Sequence, residues 1–396
     1  MYIHDKIHHY FDHFLTREVK ELYISTAIRV FGMGMIALFA PVYLYKLGYS
    51  IQWVILFYIL MQAYYLVLIP FASKIVARIG YEASMGIGIF FLPLFYLGLY
   101  LIPTLPWIFW LAPLAVGFYR SFYWMAFHSD FIRFGNTKRV GEEIGWFRIV
   151  VSMVGIIAPT AGGILLAYSN FTVLFIIVSA VFLGSLIPLY TTKEEVVKAN
   201  FSIKKFFKKT FSKKSRKDFI ALLGYGDGLI AECVWPIFLA TVVTSYVTMG
   251  LLTTASILIT FFVLLWIGKK ANAAKRKKML RINSLLLFIA WLSRIFSFNG
   301  FYVFFTDSFF KVSAQSLGTV LQSLFYSRMR KENILYYVAF RDFVLSIGKI
   351  LAGFAAIVLF FYTDKLWAAF ILAALFILFY VFWEDVTEED LKYREF

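Results

Sequence analysis

Long apolar runs, each separated from the next by a short polar segment, follow one another along the whole chain. A helix needs about 20 mostly apolar residues to cross a bilayer, and twelve runs approach or exceed this length. They cover residues 22–45, 51–72, 84–103, 106–131, 145–167, 171–190, 219–244, 249–268, 281–299, 301–327, 334–361 and 366–383, which we name spans 1 to 12. The pattern predicts an all-α membrane protein with twelve transmembrane helices.

The composition agrees with a chain whose main solvent is lipid. Of the 396 residues, 61% are hydrophobic and only 16% are charged, whereas soluble domains are about half apolar and about a quarter charged. The mean hydropathy is +0.76. A single soluble core cannot bury this much apolar surface, so the composition excludes an ordinary soluble protein.

Positive charge is concentrated in alternate loops. Twelve spans place both termini on one side of the membrane, and the five loops on that side hold 25 of the 39 Lys and Arg residues, whereas the opposite loops hold only Lys46 and Lys365. Because cytoplasmic loops carry the excess of basic residues, we expect cytoplasmic termini in a plasma membrane protein. The net charge of +16 then reflects topology and attraction to lipid headgroups, and nucleic acid is not expected as a partner.

The most basic loop divides the chain into two halves. The predicted units are an amphipathic surface helix over residues 1–20, a six-helix bundle over 21–190, a cytoplasmic linker over 191–218, a second six-helix bundle over 219–384 and a cytoplasmic tail over 385–396. In the linker, Phe206, Phe207 and Phe211 alternate with lysines, as in helices that lie on anionic membranes. We favour a solvated linker helix, with regulatory lipid binding as the alternative.

Neither a metal site nor a cofactor is predicted. His4, His8, His9 and His13 form pairs four residues apart that could chelate a metal, but the two pairs lie on different faces of a helix. The lone Cys233 excludes disulfides within the chain and cysteine zinc sites. The chain lacks a phosphate-binding loop of the G-x-x-x-x-G-K-[ST] type and a Ser/His/Asp arrangement, so neither an ATP-driven pump nor an enzyme is expected.

The two halves repeat each other weakly. A shift of 195 residues places Pro41–Leu44 on Pro236–Leu239, and a shift of 193 residues places 147–148 on 340–341, a Phe-Arg pair in both cases. Parallel repeats of six helices are one well-known transporter plan. In this architecture the chain resembles the major facilitator superfamily along essentially its whole length. The resemblance implies two six-helix repeats around a central cavity.

A loop motif adds to the resemblance. The loop after span 2 keeps Arg78 and Gly80 of the superfamily's G-x-x-x-D-R-x-G loop, with Ala77 in place of the acid, and Gly268 takes the place of the first glycine in the second half. The resemblance implies that these loops tie helices together and influence gating.

Span 5 carries a second motif, similar to the superfamily signature G-x-x-x-G-P-x-x-G-G that is most associated with antiporters. Pro159, Gly162 and Gly163 match it, Ala158 replaces a glycine, and Gly155 is displaced by one position. The resemblance implies antiport. From the residues alone, the alternative is ordinary packing, because small residues let helices approach closely.

Charged residues inside the spans are candidate functional residues, because a charge in the bilayer is costly unless it is paired or meets water. The candidates for the substrate and proton pathway are Arg29, Arg120, Asp227, Glu232, Arg294, Asp307, Lys311 and Lys349, together with the amide of Gln315. The resemblance places spans 1, 4, 7 and 10 around the cavity, and it links an arginine at the position of Arg120 to proton coupling. Five basic and three acidic side chains predict a mildly electropositive cavity that favours an anionic group on the substrate.

Position in the spans suggests individual roles. Glu232 lies near the middle of span 7 and is the predicted proton carrier. Asp227 is predicted to pair with Arg29, and Asp307 can pair with Lys311, which lies four residues later on the same helix face. Near the cytoplasmic ends, Arg148, Arg341 and Asp342 are interpreted as snorkelling side chains. Several aromatic residues are interpreted as packing at helix interfaces, and stacking on the substrate is the alternative. They are Tyr43, Tyr64, Tyr119, Tyr123, Trp124, Trp235 and Phe238.

The sequence thus predicts a monomeric secondary active transporter that moves a small molecule, with protons, by alternating access. Export by antiport is slightly favoured over symport. Two alternatives on the same fold stay open, a lipid flippase or scramblase and multidrug efflux of lipophilic compounds. Membrane lipids and the small-molecule substrate are the predicted partners.

Overall fold

The structure is a computed structural model that describes residues 17–134, 140–191, 200–268, 276–329 and 334–383. Over these residues the backbone is helical in all twelve predicted spans, and it contains no strand. The helices are Arg17–Ile36 and Ala40–Lys46 in span 1, Ile51–Ile79 in span 2, Tyr81–Leu101 in span 3, Ile108–Phe134 in span 4, Val140–Tyr168 in span 5, Phe171–Gly184 and Leu186–Leu189 in span 6, Arg216–Leu222 and Asp227–Val242 in span 7, Tyr246–Gly268 in span 8, Arg276–Ser293 in span 9, Gly300–Met329 in span 10, Ile334–Leu359 in span 11 and Ala368–Ile377 in span 12.

The lengths and composition of these helices suit a bilayer. Within the described residues, eight helical segments are long and apolar enough to cross a membrane, and spans 5 and 12 contribute the shorter apolar helices Met153–Tyr168 and Ala368–Phe382. Large apolar side chains such as Phe90, Phe262 and Phe361 lie on the outer surface. Lipid is the solvent in which such a surface is stable.

A single glycine forms the turn between spans 2 and 3. Gly80 has a φ of 95°, a left-handed conformation that glycine adopts without a steric penalty. Its carbonyl oxygen accepts a hydrogen bond from the hydroxyl of Ser84. The motif glycine is thus needed for the turn itself, whereas Arg78 beside it is exposed.

The repeat partners, spans 1 and 7, are both interrupted, but at different places. Span 1 breaks at residues 37–39, whereas span 7 tightens into a 3-10 turn over Leu223–Gly226 and then continues as an α-helix through Pro236. A Cβ atom on Gly226 would lie 2.8 Å from the carbonyl oxygen of Gly348 in span 11. Span 7 therefore departs from α-helical geometry at its glycines, which also allow span 11 to approach closely.

Spans 1–6 and spans 7–12 form two halves that meet along two helix pairs, span 5 with span 8 and span 2 with span 11. Glycines of the span-5 motif create the first contact. A Cβ atom on Gly163 would overlap the carbonyl oxygen of Tyr246 in span 8, and one on Gly162 would overlap that of Met35 in span 1. By contrast, a Cβ on Gly155 would meet only Val30, at 3.8 Å.

Polar contacts extend this junction. The hydroxyl of Thr160 donates to that of Thr254 in span 8 at 2.8 Å. Pro159 takes part through its carbonyl oxygen, which lies 2.5 Å from the Cβ position of Gly250. The span-5 motif therefore packs span 5 between span 1 and span 8, as the packing interpretation of its small residues expects.

Further contacts join the halves at the end of the bundle opposite to the linker. The ammonium of Lys46 lies 4.4 Å from the ring centre of Tyr246, a cation–π distance. The side-chain amide of Gln52 donates to the carbonyl oxygen of Phe360 at 3.0 Å. These contacts bring the ends of spans 1 and 2 against spans 8 and 11.

The N-terminal and C-terminal predictions lie largely outside the described residues. Residues 1–16, which include the four histidines, and the tail over 385–396 belong to this part of the chain. Residues 17–20, assigned to the surface helix from the sequence, belong to the first helix of span 1.

Candidate functional site

A cavity of about 1000 Å³ lies between the two halves, lined by residues from spans 1–5 and from spans 7–11. Neither half encloses it alone. The predicted pathway residues that line it are Arg29, Arg120, Glu232, Arg294, Asp307, Lys311, Gln315 and Lys349. Asp227 lies outside this lining.

Glu232 connects the two halves through a shared ion pair. Its Oε2 accepts a hydrogen bond from Nη2 of Arg120 on span 4 at 3.1 Å, and its Oε1 accepts one from Nζ of Lys349 on span 11 at 2.5 Å. One carboxylate therefore serves two cations. The Glu232 side chain keeps 35% of its surface exposed, so it is accessible from the cavity.

A second ion-pair cluster lies wholly in the second half. Asp307 accepts a hydrogen bond from Nη2 of Arg294 at 2.7 Å and another from Lys311, which confirms the predicted pairing of Asp307 with Lys311. The guanidinium carbon of Arg294 lies 3.8 Å from the ring centre of Trp235 and 3.5 Å from that of Phe310. Because Arg294 is only 1% exposed, these rings and Asp307 hold its charge in a fixed place.

Arg29 is held by tyrosines. Its Nη1 donates to the hydroxyl of Tyr119 at 2.7 Å, and its guanidinium carbon lies 4.2 Å from the ring centre of Tyr123 and 5.3 Å from that of Trp124. Its Nε has no hydrogen-bond partner within the part of the chain that the structure describes. Arg29 thus brings a buried positive charge to the first half of the cavity wall.

The predicted pair between Arg29 and Asp227 is wrong. The Oδ2 of Asp227 accepts a hydrogen bond from the indole Nε1–H of Trp291 at 3.0 Å. The physical reason is direction: Asp227 begins the second helix of span 7 and faces span 9 inside its own half, whereas Arg29 faces span 4 in the other half. Asp227 therefore links span 7 to span 9 through this hydrogen bond.

A third polar cluster joins the halves at span 11. The Nη2 of Arg341 lies 2.6 Å from Oδ1 of Asp342, and the hydroxyl of Tyr65 on span 2 donates to Oδ2 of Asp342 at 2.7 Å. Arg341 and Asp342 are buried and line the cavity. The snorkelling interpretation is therefore wrong for both, because span 11 turns this face toward span 2 and the cavity and not toward the outer surface of the bundle. The side chain of Arg148 lies outside the described residues.

The charges of the cavity wall do not cancel. The basic side chains among the described lining residues are Arg29, Arg120, Arg294, Lys311, Arg341 and Lys349, and the acidic ones are Glu232, Asp307 and Asp342. The excess of three positive charges has the sign that the sequence predicts. Within the described residues, no group of His, Cys, Asp or Glu could hold a metal ion.

The aromatic candidates divide into two groups. Tyr43 and Tyr64 serve helix packing, since their hydroxyls donate to the carbonyl oxygens of Leu99 at 3.2 Å and Trp110 at 3.0 Å. Phe238 likewise packs on neighbouring rings of its own half. The remaining four, Tyr119, Tyr123, Trp124 and Trp235, surround Arg29 and Arg294. The sequence indicates these rings as packing or stacking residues, whereas their contacts with the arginines depend on how the helices pack.

Comparison with known proteins identifies the family. The sequence profile of the Major Facilitator Superfamily matches residues 22–249. The chain belongs to the major facilitator superfamily. Among the curated protein sequences, none matches this superfamily member.

Solved structures share the fold of this superfamily member. One is a POT family transporter in complex with 5-aminolevulinic acid, which is 12% identical, with 93% of this chain and 96% of that chain covered and a TM-score of 0.65. Another is a D-xylose-proton symporter, which is 13% identical, with 94% and 98% covered and a TM-score of 0.67. The predicted all-α membrane fold with twelve helices in two six-helix repeats is confirmed. Family and fold are those of multi-pass secondary transporters rather than enzymes.

Proposed function

We propose that this superfamily member is a proton-coupled secondary transporter for small molecules that carry an anionic group. The observation that carries the proposal is the shared ion pair of Glu232 with Arg120 and Lys349. It lies in the cavity wall and spans both halves. A change in its charge therefore acts on the cavity and on the junction of the halves at once.

Protonation of Glu232 is the central step of the proposed cycle. A neutral carboxyl group no longer balances Arg120 and Lys349, so the ion pair that ties the halves weakens and two cations become free to bind an anion. Burying uncompensated charge costs several kcal/mol, and a substrate anion would remove that cost. The proton and the substrate are then favoured together, and their release reverses both changes.

This logic supports co-transport of proton and anion in the same direction. The span-5 motif supports antiport through its family association, and export by antiport stays a prediction, although the motif residues here have a packing role. Among the structural neighbours, one is a proton symporter and one is a transporter bound to an acid. We therefore put symport first and antiport second, both by alternating access.

The proposed setting is the plasma membrane, with both termini in the cytoplasm and the chain acting as a monomer. The basic loops on the terminal side support this orientation. Attachment of a fluorescent protein or an accessible epitope at each terminus of the full chain, followed by labelling of intact cells, tests it. Surface labelling of either terminus would contradict the proposed orientation.

A binding screen followed by flux measurements tests the proposed function. Purified protein is heated with organic anions, sugars and lipophilic cations, and we expect organic anions to raise the unfolding temperature. The stabilising compounds are then offered to proteoliposomes with and without a pH gradient, where we expect the gradient to drive accumulation. Selective stabilisation by lipophilic cations would instead indicate multidrug efflux, and translocation of fluorescent lipids without a pH-driven flux would indicate a flippase.

A further inference from the structure

The linker between the halves contains a helix, Ile203–Thr210, that is docked on the bundle. The side chain of Ser202 caps its first turn. Phe206 is 1% exposed, and its ring centre lies 5.5 Å from that of Phe343 in span 11. The helix also contacts span 2. It therefore lies where the two halves meet, and the interpretation as a merely solvated linker does not account for this position.

A second anchor fixes the start of this helix. The backbone N–H of Ser202 donates to the hydroxyl of Tyr336 at 2.6 Å, and the ring of Phe201 stacks on that of Tyr336 with a centre-to-centre distance of 4.6 Å. Tyr336 lies near the beginning of span 11. The start of the linker helix is thus attached to span 11, and one face of the helix is occupied by protein contacts.

The adjoining face is apolar and basic. Phe207 is 38% exposed and Phe211 is 66% exposed, and their rings are stacked with an interplanar angle of 4°. With 3.6 residues per turn, Lys204 and Lys208 lie directly beside this pair on the helix surface, and both are exposed. We call these four residues the linker shoulder.

We propose that the linker shoulder binds anionic phospholipid headgroups of the adjoining leaflet. Lysines beside exposed aromatic rings are the pattern of helices that lie in the plane of a charged membrane surface. The helix packs on two membrane-crossing spans, and in the proposed topology its open face would border the headgroup layer. The rings of Phe207 and Phe211 also contact Phe343, so only part of each is exposed. A soluble anion would satisfy the lysines but would leave these exposed parts in water, whereas a lipid surface accommodates both.

The position of the shoulder suggests what the lipid would control. Phe343, on which the linker helix packs, follows Asp342 directly, and Asp342 accepts the hydrogen bond from Tyr65 that joins span 11 to span 2. Lipid bound to the shoulder would hold span 11 at this junction. An effect on transport rests on the proposed function, but lipid binding itself does not.

The lone cysteine makes a direct test possible. Cys233 is buried, so a cysteine introduced by Phe207→Cys is the site that a polarity-sensitive fluorophore labels, and unsubstituted protein reports the background. The labelled full chain is placed in nanodiscs of phosphatidylcholine alone or with phosphatidylglycerol. We expect a blue-shifted emission, and quenching by lipids with a spin label near the headgroup, only when phosphatidylglycerol is present.

Matched charge variants decide the outcome. Lys204→Gln with Lys208→Gln is expected to weaken the binding of anionic lipid by about thirtyfold, since each lysine near an anionic surface contributes about 1 kcal/mol. Lys278→Gln with Arg281→Gln removes the same charge from exposed positions at the start of span 9 and should leave the signal unchanged. Equal signals in neutral and anionic discs, or equal losses in both variant pairs, would overturn the proposal. So would a full blue shift caused by inositol hexakisphosphate in detergent without phospholipid, because the ligand would then be a soluble anion.

Discussion

Glu232 and Arg120 form a 3.1 Å ion pair across the boundary between the two halves of the bundle. Because the same carboxylate also holds Lys349 of span 11, one proton on Glu232 would change the balance of two cations. The pair sits in the cavity wall, where substrate and proton can both reach it.

The first prediction concerns the strength of this pair. Arg120→Gln and Glu232→Gln should be non-additive in thermal stability, with a coupling free energy of about 0.5–3 kcal/mol, because each variant alone leaves its partner without the shared interaction. The unfolding of both single variants and the double variant in one detergent measures it. Combining Glu232→Gln with Lys278→Gln, at the exposed start of span 9, should give additive effects. Additive effects of Arg120→Gln and Glu232→Gln would show that their ion pair contributes nothing to stability.

The cluster around Asp307 should matter for folding. Asp307→Asn leaves Arg294 buried between Trp235 and Phe310 without a counter-charge, and loss of one partner from a buried pair typically costs about 3–5 kcal/mol. Lys311→Gln should cost less stability, because the Lys311 side chain is 22% exposed and Asp307 remains paired with Arg294. Unfolding temperatures of the two variants compare these costs. A larger loss for Lys311→Gln would mean that Lys311, and not Arg294, is the main partner.

The glycines of span 5 allow a prediction about its two packing faces. Gly162→Ala and Gly163→Ala introduce a methyl group onto the carbonyl oxygens of Met35 and Tyr246, and overpacking of this kind costs about 1–3 kcal/mol. Since Gly163 faces the other half, its variant should also change the transport rate. Gly155→Ala, with 3.8 Å of space, is the control and should be neutral. Identical stability of all three variants would contradict the close approach seen here.

Tyr64 and Tyr65 are adjacent in span 2, but Tyr65 forms a hydrogen bond to the other half of the bundle and Tyr64 forms one within its own half. Tyr65→Phe removes the hydrogen bond to Asp342 on span 11, and a hydrogen bond to a charged group contributes about 1.5–3 kcal/mol. We expect it to change the transport rate by about tenfold. Tyr64→Phe removes a hydrogen bond to Trp110 inside the first half and should leave the rate nearly unchanged. Equal transport rates for Tyr65→Phe and Tyr64→Phe would show that the contact between Tyr65 and Asp342 does not influence transport.

Much of the fold follows from the sequence because the bilayer imposes it. Apolar length alone places the twelve spans, and the alternation of basic loops and the spacing of Pro41 and Pro236 indicate the repeat. The boundaries are less certain, since polar residues at the membrane edge continue the helices. Span 2, for example, was expected to end near residue 72 but extends to Ile79.

The candidate site was predictable in its members but not in its pairings. Burial of charge in a membrane selects residues such as Glu232 and Lys349 regardless of their partners. Which groups meet depends on how each helix is rotated about its axis, and a single sequence does not fix that rotation. For this reason Asp307 and Lys311, on one helix, were paired correctly, whereas Asp227 was assigned to the wrong arginine.

Arg341 and Asp342 are a second example of contacts that a single sequence does not determine. Their place near the end of span 11 made snorkelling the simplest interpretation. Two adjacent charges of opposite sign within an apolar run were the available signal, because such a pair can neutralise itself away from the headgroups. The contact with Tyr65 depends on the packing of spans 2 and 11, which the sequence does not show.

The most direct test of the account is the pH dependence of transport by the Glu232→Gln variant. The substrate found in the binding screen is offered to proteoliposomes that contain this variant, the unsubstituted protein or Asp364→Asn, a change at an exposed acid in a loop. Accumulation driven by a pH gradient should fall by about a hundredfold in Glu232→Gln, which corresponds to about 2.7 kcal/mol in the barrier, while exchange of labelled for unlabelled substrate continues. Asp364→Asn should behave like the unsubstituted protein. Retention of the full pH dependence in Glu232→Gln would contradict the assignment of Glu232 as the proton carrier.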